Sequence, residues 1–392
     1  MEMKIFMVCD VWLDGRDAQT THVLELFKNL GKLRDTHLFA PRPKKLVNEA
    51  QNTIFVPTVM PIFKSAFYQL FLFLYLIHYC FKFSPDVIYG RLSNLSFSFF
   101  FISKIFRIPY VIEVNGLLID EEKMIGRPKV LTRLTGLNEK LNYKQADKIV
   151  AVTQGIKDGI KELHSIPDEK IVVIPNGANT DLFKPMHQEK AKKELKLEEK
   201  KNYICFVGNL APWQGVEFLI QSAPLILKES PHTKFLIIGD GPMKEELIDL
   251  TEQMAVSDKF IFTGVVPYED VPKYINASDV CVASFIRKRN LKIGLSPLKI
   301  YEYAACGKPI AASRIPNLEF IEKQKAGILV EPENPKELAK AIIKLLKDER
   351  LRRELGENGR KYVTKNHSWE AVARRVAEVC KSVVVEHERS RR

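Results

Sequence analysis

Apolar residues along the chain fall into short β-branched and aromatic runs separated by stretches with helical spacing, the pattern of parallel α/β architecture. Predicted strands begin at Lys4 (KIFMVCD), Thr53 (TIFVP), Asp86 (DVIYG), Tyr110 (YVIEVN), Lys148 (KIVAVT) and Lys170 (KIVVIPNG). A charged, lysine-rich stretch from His187 to Asn202 interrupts the series. It restarts with YICFVG at Tyr203, KFLIIGDGP at Lys234, KFIFTG at Lys259, DVCVAS at Asp279, PIAAS at Pro309 and GILV at Gly327. The pattern predicts two tandem Rossmann-like, doubly wound domains, 1–185 and 203–366, with a charged linker at 186–202. An amphipathic segment within 367–392 is placed to cross back to the first domain. Doubly wound sheets bind ligands outside the C-terminal ends of their strands, so the two domains are expected to face one interdomain cleft.

One predicted helix departs from the amphipathic pattern. Phe67 to Phe81 (FYQLFLFLYLIHYCF) is apolar nearly all round, which implies burial in protein or in lipid. Its residues would span roughly 22 Å as a helix, short of the ~30 Å hydrocarbon core, so a membrane crossing is not expected. A second aromatic cluster, Phe97 to Phe106, follows, and the interval 61–110 holds 16 of the chain's 38 aromatic residues with a local charge of +4. The two stretches are expected to be core helices on the first sheet. Basic plus aromatic is also the composition of an interfacial surface, so an exposed face would suit peripheral association with an anionic membrane.

Composition narrows the classes. The chain has 392 residues, 46% of them hydrophobic and 28% charged, which excludes a disordered or low-complexity protein. The net charge of +12, spread as +5 through Lys184 and +7 beyond it, suggests an anionic partner without choosing among nucleic acid, lipid and phosphorylated substrate. No nucleic-acid-binding motif is present. Six cysteines stand far apart with no CxxC pair, and the apolar run at the N-terminus is too short for a signal peptide. A cytoplasmic protein with neither metal nor cofactor is expected.

The segment with most chemistry is Gly294 to Ser313, GLSPLKIYEYAACGKPIAAS. Ser296 and Pro297 look like an N-cap and a first-turn proline, so a helix is expected from here through Leu298 and Ala305 to Gly307. Its first amides would form an anion site, Lys299 adds positive charge in the first turn, and Glu302 is one turn further in, suited to vicinal hydroxyls of a sugar. A diphosphate on the amides and a ribose on Glu302 make a coherent nucleotide site.

This segment resembles the signature of the family 4 retaining glycosyltransferases, in which two glutamates stand eight residues apart before an ACGxP turn. Glu302 matches the second glutamate, which in the family binds the nucleotide ribose, and Ala305 to Pro309 match the turn. The resemblance runs in order over nearly the whole chain. It includes GRDAQTTHVLELFKNL from Gly15, ADKIVAVTQGIKDGI from Ala146 and IPNGANTDLFKP from Ile174, then FVGNLAPWQGVEFLI from Phe206, IGDGPMKEEL from Ile238 and the FTGVVPYEDVPKY stretch from Phe262. It implies the two-domain architecture called GT-B and a metal-independent transfer from a nucleotide diphosphate sugar, UDP- or GDP-linked, to a hydroxyl acceptor. A lipid-linked or cell-surface glycan precursor suits the interval 61–110.

Departures from the family pattern shape the expected site. Gly294 stands where the first glutamate is expected, Asn209 and Gln214 replace an Arg and a Lys, and Asn115 occupies the place of a His. Lys299 and the run Arg287 to Lys292, read as a basic loop, would supply relocated cations, with Arg289 and Lys292 the nearest candidates. Gly208 and Gly215 would allow close approach of backbone to phosphate. Val265 and Val266 are expected to meet the base through their main chain, and Asn115 with the loop residues Asp14, Gly15, Thr20 and Thr21 the reacting sugar or acceptor. A catalytically silent nucleotide-sugar-binding subunit of a glycan-assembly complex is the alternative that Gly294 motivates. An epimerase of related fold fits the motifs less well.

Overall fold

Strands that bury both faces need helices above and below them. The first sheet has this character: its strands are β1 (Lys4–Val8), β2 (Asp35–Pro41), β3 (Thr53–Val56), β4 (Val87–Arg91), β5 (Tyr110–Val114), β6 (Lys148–Ala151) and β7 (Ile171–Val173). All neighbours pair in parallel, in the order β3-β2-β1-β4-β5-β6-β7. The connecting helices are α1 (Ala18–Gly31), α2 (Lys64–Phe83), α3 (Ser98–Phe106), α4 (Lys129–Gln145) and α5 (Gln154–His164). Side chains close the helix starts: Asp17 accepts from Thr20 N at α1 and Thr153 from Ile156 N at α5. This computed structural model describes residues 3–13, 17–43, 51–58, 64–119, 122 and 126–391, and of Lys64 and Arg289 the backbone alone.

The second sheet comprises β8 (Asn202–Val207), β9 (Thr233–Ile238), β10 (Phe260–Gly264), β11 (Val280–Ala283), β12 (Ile310–Ser313) and β13 (Gly327–Val330), parallel throughout in the order β10-β9-β8-β11-β12-β13. Its helices are α6 (Gln188–Glu194), α7 (Val216–Glu229), α8 (Lys244–Gln253), α9 (Val271–Ala277), α10 (Arg287–Ile293), α11 (Leu298–Ala305), α12 (Phe320–Lys323), α13 (Pro335–Lys347) and α14 (Glu349–Asn366). One cluster of buried side chains lies around α11 and a second around α7 and α13. A last helix, α15 (Trp369–Arg391), belongs to the first unit, where it packs on α1. Buried Trp369 meets the His22 ring edge-on at 5.1 Å, and Arg375 donates to the Val173 carbonyl.

The chain divides into Met1–Pro175 with Trp369–Arg392, and Asn176–Ser368. The division falls before Asn176 rather than in the charged stretch, because Asn176 donates from its backbone and side chain to Ser296 and Ala178 N reaches the His367 carbonyl. The expected linker at 186–202 is instead folded into the second unit, with α6 against α9 and Lys192 Nζ donating to the carbonyls of Glu199 and Lys201. Strand β2, DTHLFAP, was not among the expected strands.

The apolar stretch expected at Phe67–Phe81 extends to the 20 residues of α2, about 30 Å of helix, so by length and composition it meets the requirement for a membrane crossing. Only 28% of its apolar window is buried. The core-helix expectation therefore holds for one face: Tyr68, Leu72, Leu76 and Cys80 are buried, whereas Leu70, Leu74 and Phe81 are exposed.

Candidate functional site

The winding of the second sheet reverses between β8 and β11, and doubly wound sheets open a ligand crevice at such a point. Gly208 follows β8 with φ +141°, a conformation that side chains rarely adopt, and a Cβ there would lie 2.8 Å from Lys299 Nζ. Beside it, Asn209 Oδ1 packs against Gly241, and Gly239 N donates to the Gly264 carbonyl. Gly215 opens α7, and its carbonyl accepts from Ser284 Oγ at 2.6 Å. Backbone is thus packed tightly where β8, β9 and β10 end, and the Lys299 side chain lies against Gly208.

Lys299 and Tyr303 stand one turn apart on α11, so both point to the end of β8. The Tyr303 hydroxyl accepts from Val207 N at 2.7 Å. Lys299 Nζ donates to Gln214 Oε1 at 2.8 Å and sits 3.8 Å from the ring centre of Phe206, with Phe285 at 5.4 Å. Burial lowers its pKa to about 7, against the upward pull of Glu302 and Cys205. A lysine this deep, held by a neutral amide and aromatic faces, is a charge for which an anion would provide the missing stabilisation. Gln214 meets Lys299, so a lysine at position 214 would set two ammonium groups at hydrogen-bond distance. The Gln214 and Lys299 departures from the family pattern are therefore complementary.

The start of α11 differs from the expected cap. Pro297 is the N-cap residue, and Ser296 lies outside the helix, where its Oγ accepts from Asn176 N (2.8 Å) and meets the Tyr301 hydroxyl (3.1 Å). Ser296 was expected to cap because of its place before a proline, but the PNG segment engages it first. Leu298 opens the helix and Glu302 is buried one turn beyond Leu298. Val265 is exposed after β10, while Val266 packs against the core cluster around α11.

The expected basic loop is helix α10. Arg287 is engaged by Glu331, Glu333 and the Pro332 carbonyl, beyond the end of β13. Lys292 lies in the last turn of α10, and the side chain of Arg289 lies outside the described residues. Asn290, missed in the sequence, ties α10 to the β8–α7 loop by donating to the Trp213 carbonyl. No local pattern marks it, since the contact spans 77 residues.

Gly294 ends α10 with φ +67° and ψ −178°, a region essentially restricted to glycine, and a Cβ there would approach the Pro316 carbonyl oxygen to 3.0 Å. The missing glutamate is thus built into the backbone. Gly294→Glu is expected to lower stability by about 1–3 kcal/mol without raising turnover. Thermal melting and donor consumption check this, and a faster enzyme with an unchanged melting temperature would contradict it.

In the first unit, the corresponding strand ends carry a buried polar cluster centred on Glu113. Tyr89 donates to Glu113 Oε2 (2.6 Å) and Asn115 Nδ2 to Oε1 (2.6 Å), while His22 Nε2 lies 2.8 Å and Arg91 Nη1 3.8 Å from Oε1. Burial raises the Glu113 pKa, but His22, Arg91 and Tyr89 together outweigh it and bring the carboxyl to about 2. Asn115 is therefore held by Glu113. Thr20 is buried in the first turn of α1, bonded through Oγ1 to the Trp12 carbonyl, and so is structural rather than facing an acceptor. Thr21 N continues the helix from the Asp17 carbonyl, and Asp14 and Gly15 lie outside the described residues. Among the described residues, no group of three or more His, Cys, Asp or Glu is placed to hold a metal ion.

Comparison with known proteins covers both units. The family described as Glycosyltransferase Family 4 matches residues 19–182, and that described as Glycosyl transferases group 1 matches residues 187–362. An uncharacterized glycosyltransferase of Methanocaldococcus jannaschii is 28% identical over 94% of this chain and 95% of its own length. A GDP-mannose-dependent alpha-(1-6)-phosphatidylinositol monomannoside mannosyltransferase of Mycobacterium tuberculosis is 28% identical over 54% of this chain and 56% of its own. Among solved structures, sucrose-phosphate synthase from Thermosynechococcus elongatus superposes with a TM-score of 0.79 at 20% identity, covering 98% of this chain and 100% of that one. Anabaena HepE in complex with UDP-glucose gives 0.75 at 17% identity, covering 97% and 100%.

Proposed function

The chain belongs to glycosyltransferase family 4, with the GT-B fold, and from that premise we propose that it works in the cytoplasm as a retaining transferase from a UDP- or GDP-linked sugar to a hydroxyl acceptor, a lipid-linked or cell-surface glycan precursor. The observation that carries the donor assignment is Lys299, buried beneath Gly208 at the switch point of the second sheet. In this reading the diphosphate lies over Gly208, against Lys299 and the first amides of α11, where preorganised donors act strongly on charge developing at the leaving group. Glu302 accepts from the ribose hydroxyls, and the turn at Val265 and Val266 meets the base.

The bond from the anomeric carbon to the phosphate oxygen breaks, and the bond to the acceptor oxygen forms on the same face. The acceptor proton passes to the departing phosphate, so no side-chain base is needed and Asn115, which cannot serve as one, is compatible with the reaction. The first unit supplies acceptor-side groups, Asn115 among them. Support for both nucleotide alternatives comes from the HepE complex with UDP-glucose and the GDP-mannose-dependent mycobacterial relative.

Thermal-shift titration with UDP, GDP and their sugars identifies the donor, because a ligand that binds only the folded chain raises its apparent stability. Glu302→Ala is expected to weaken that binding by about 1.5–3 kcal/mol, the scale of hydrogen bonds to a charged group. The anomeric coupling constant of the product, read by NMR, tests retention. Wild-type affinity in Glu302→Ala would remove the ribose assignment, and an inverted product would remove the same-face route.

A further inference from the structure

The connections β3 to β4, β4 to β5 and β5 to β6 all run in one direction along the first sheet. Right-handed crossovers therefore place α2, α3 and α4 on one face, and α1, which connects β1 to β2 in the opposite direction, on the other face with α15. Of the fifteen large apolar side chains exposed among the described residues, ten lie on α2, α3 and α4, so the exposed apolar surface is gathered on one helix layer. Leu70, Leu74 and Phe81 belong to α2, Phe101 and Ile105 to α3, and five to α4.

Helix α4 lies outside the interval 61–110 in which the sequence suggested an interfacial surface. Its Val130, Leu134, Leu137 and Leu141 follow helical spacing and form one stripe, with Val130 71% and Leu137 59% exposed. The opposite face holds Thr135, Glu139, Asn142 and Tyr143, all buried. Every exposed charge on α4 is a cation: Lys129, Arg133, Lys140 and Lys144 run along one side of the stripe. Its one acidic residue, Glu139, is buried, accepting from Leu118 N and the Tyr143 hydroxyl. Lys82, Lys104 and Arg107 add exposed positive charge beside α2 and α3.

We propose that this helix layer docks on an anionic lipid bilayer, with α4 lying in the interface, its aliphatic stripe at the acyl boundary and its cations on lipid phosphates. The charge decides the occupant: an apolar stripe whose helix exposes cations and no acidic side chain complements a negatively charged, laterally continuous surface. Docking differs from spanning, for which, among the described residues, α2 alone is both long and apolar enough. Tyr68, Leu72, Leu76 and Cys80 pack α2 into the core and the Tyr68 hydroxyl donates to the Cys9 carbonyl, so the helix lies on the sheet with one face outward. The proposal goes beyond the donor reading and is independent of it.

Flotation of the full chain with phosphatidylcholine vesicles, with and without phosphatidylglycerol, tests it at low and high salt. Binding is expected only with phosphatidylglycerol and is expected to weaken as salt rises. Lys140→Gln with Lys144→Gln should weaken it roughly tenfold or more, and Leu134→Ser with Leu137→Ser should abolish flotation. Both double variants should keep the wild-type circular dichroism and melting temperature, which separates lost docking from lost folding. Absence of wild-type flotation with phosphatidylglycerol, or undiminished flotation of the leucine variant, would overturn the proposal. So would light scattering that found a wild-type dimer abolished by the same leucine changes, since the stripe would then cover a second copy of the chain.

Discussion

Replacing Lys299 by methionine is expected to reduce kcat/KM for donor consumption by about 10²–10³, the loss seen when one preorganised charge-stabilising donor is removed. Folding should not suffer, because methionine fills a similar volume and exchanging a buried charge for an apolar group is often neutral or stabilising. Loss of turnover in a chain at least as stable as the parent separates this role from general damage. The pH dependence sharpens it. Folding lowers the Lys299 pKa from 10.5 to about 7, so between those values the unfolded chain binds a proton that the folded chain releases. Stability without ligand should therefore rise with pH across that window, and Lys299→Met should remove this contribution. Diphosphate stabilises the charged form, so binding near pH 8 should take up a proton, visible as a dependence of calorimetric heat on buffer ionisation. Adding Gln214→Lys should partly rescue Lys299→Met, because position 214 already touches the same place. Turnover of Lys299→Met near the wild-type level, or binding heats independent of buffer, would defeat the assignment.

That pairing also marks how far the sequence reaches. The two tandem parallel sheets are legible because β-branched runs alternate with helical spacing. Strand β2 escapes because DTHLFAP begins polar and ends in proline, leaving too short an apolar run. Lys299 and Glu302 are legible as candidate site residues through their place in the first turns of one helix. The contact of Lys299 with Gln214 is not, since 85 residues separate them and only the packing of α11 beneath the β8 turn joins them. Ser296 carries a helix-start signal that tertiary structure overrides, because Asn176 uses its hydroxyl. Helix α2 has no polar face, so its period cannot tell which side is covered; only its place on the sheet does. Position 294 is the reverse case, where a residue read as an absent carboxylate proves to be a backbone requirement.

Glu113 yields the second large effect, on the first unit. Glu113→Ala would leave His22 and the Arg91 guanidinium buried without their carboxylate, and removing one partner of a buried ion pair costs about 3–5 kcal/mol. Glu113→Gln should cost less at neutral pH, since an amide oxygen can still accept from Tyr89 or Asn115. The two substitutions also separate charge from shape through acid. Because folding lowers the Glu113 carboxyl from 4.5 to about 2, its charge contributes stability that is fully present above pH 4.5 and is lost as pH falls toward 2. Urea unfolding should then show the stability gap between wild type and Glu113→Gln narrowing across that interval. Glu113→Ala should retain part of its deficit even at the acid end, where the lost hydrogen bonds of Tyr89 and Asn115 still count. A gap of constant size from pH 7 to pH 3 would mean that the Glu113 charge is not what binds this cluster together. Binding of the nucleotide donor should survive Glu113→Gln while transfer falls, because a neutral amide oxygen holds Asn115 less firmly than the carboxylate does; unchanged transfer would leave the cluster purely structural.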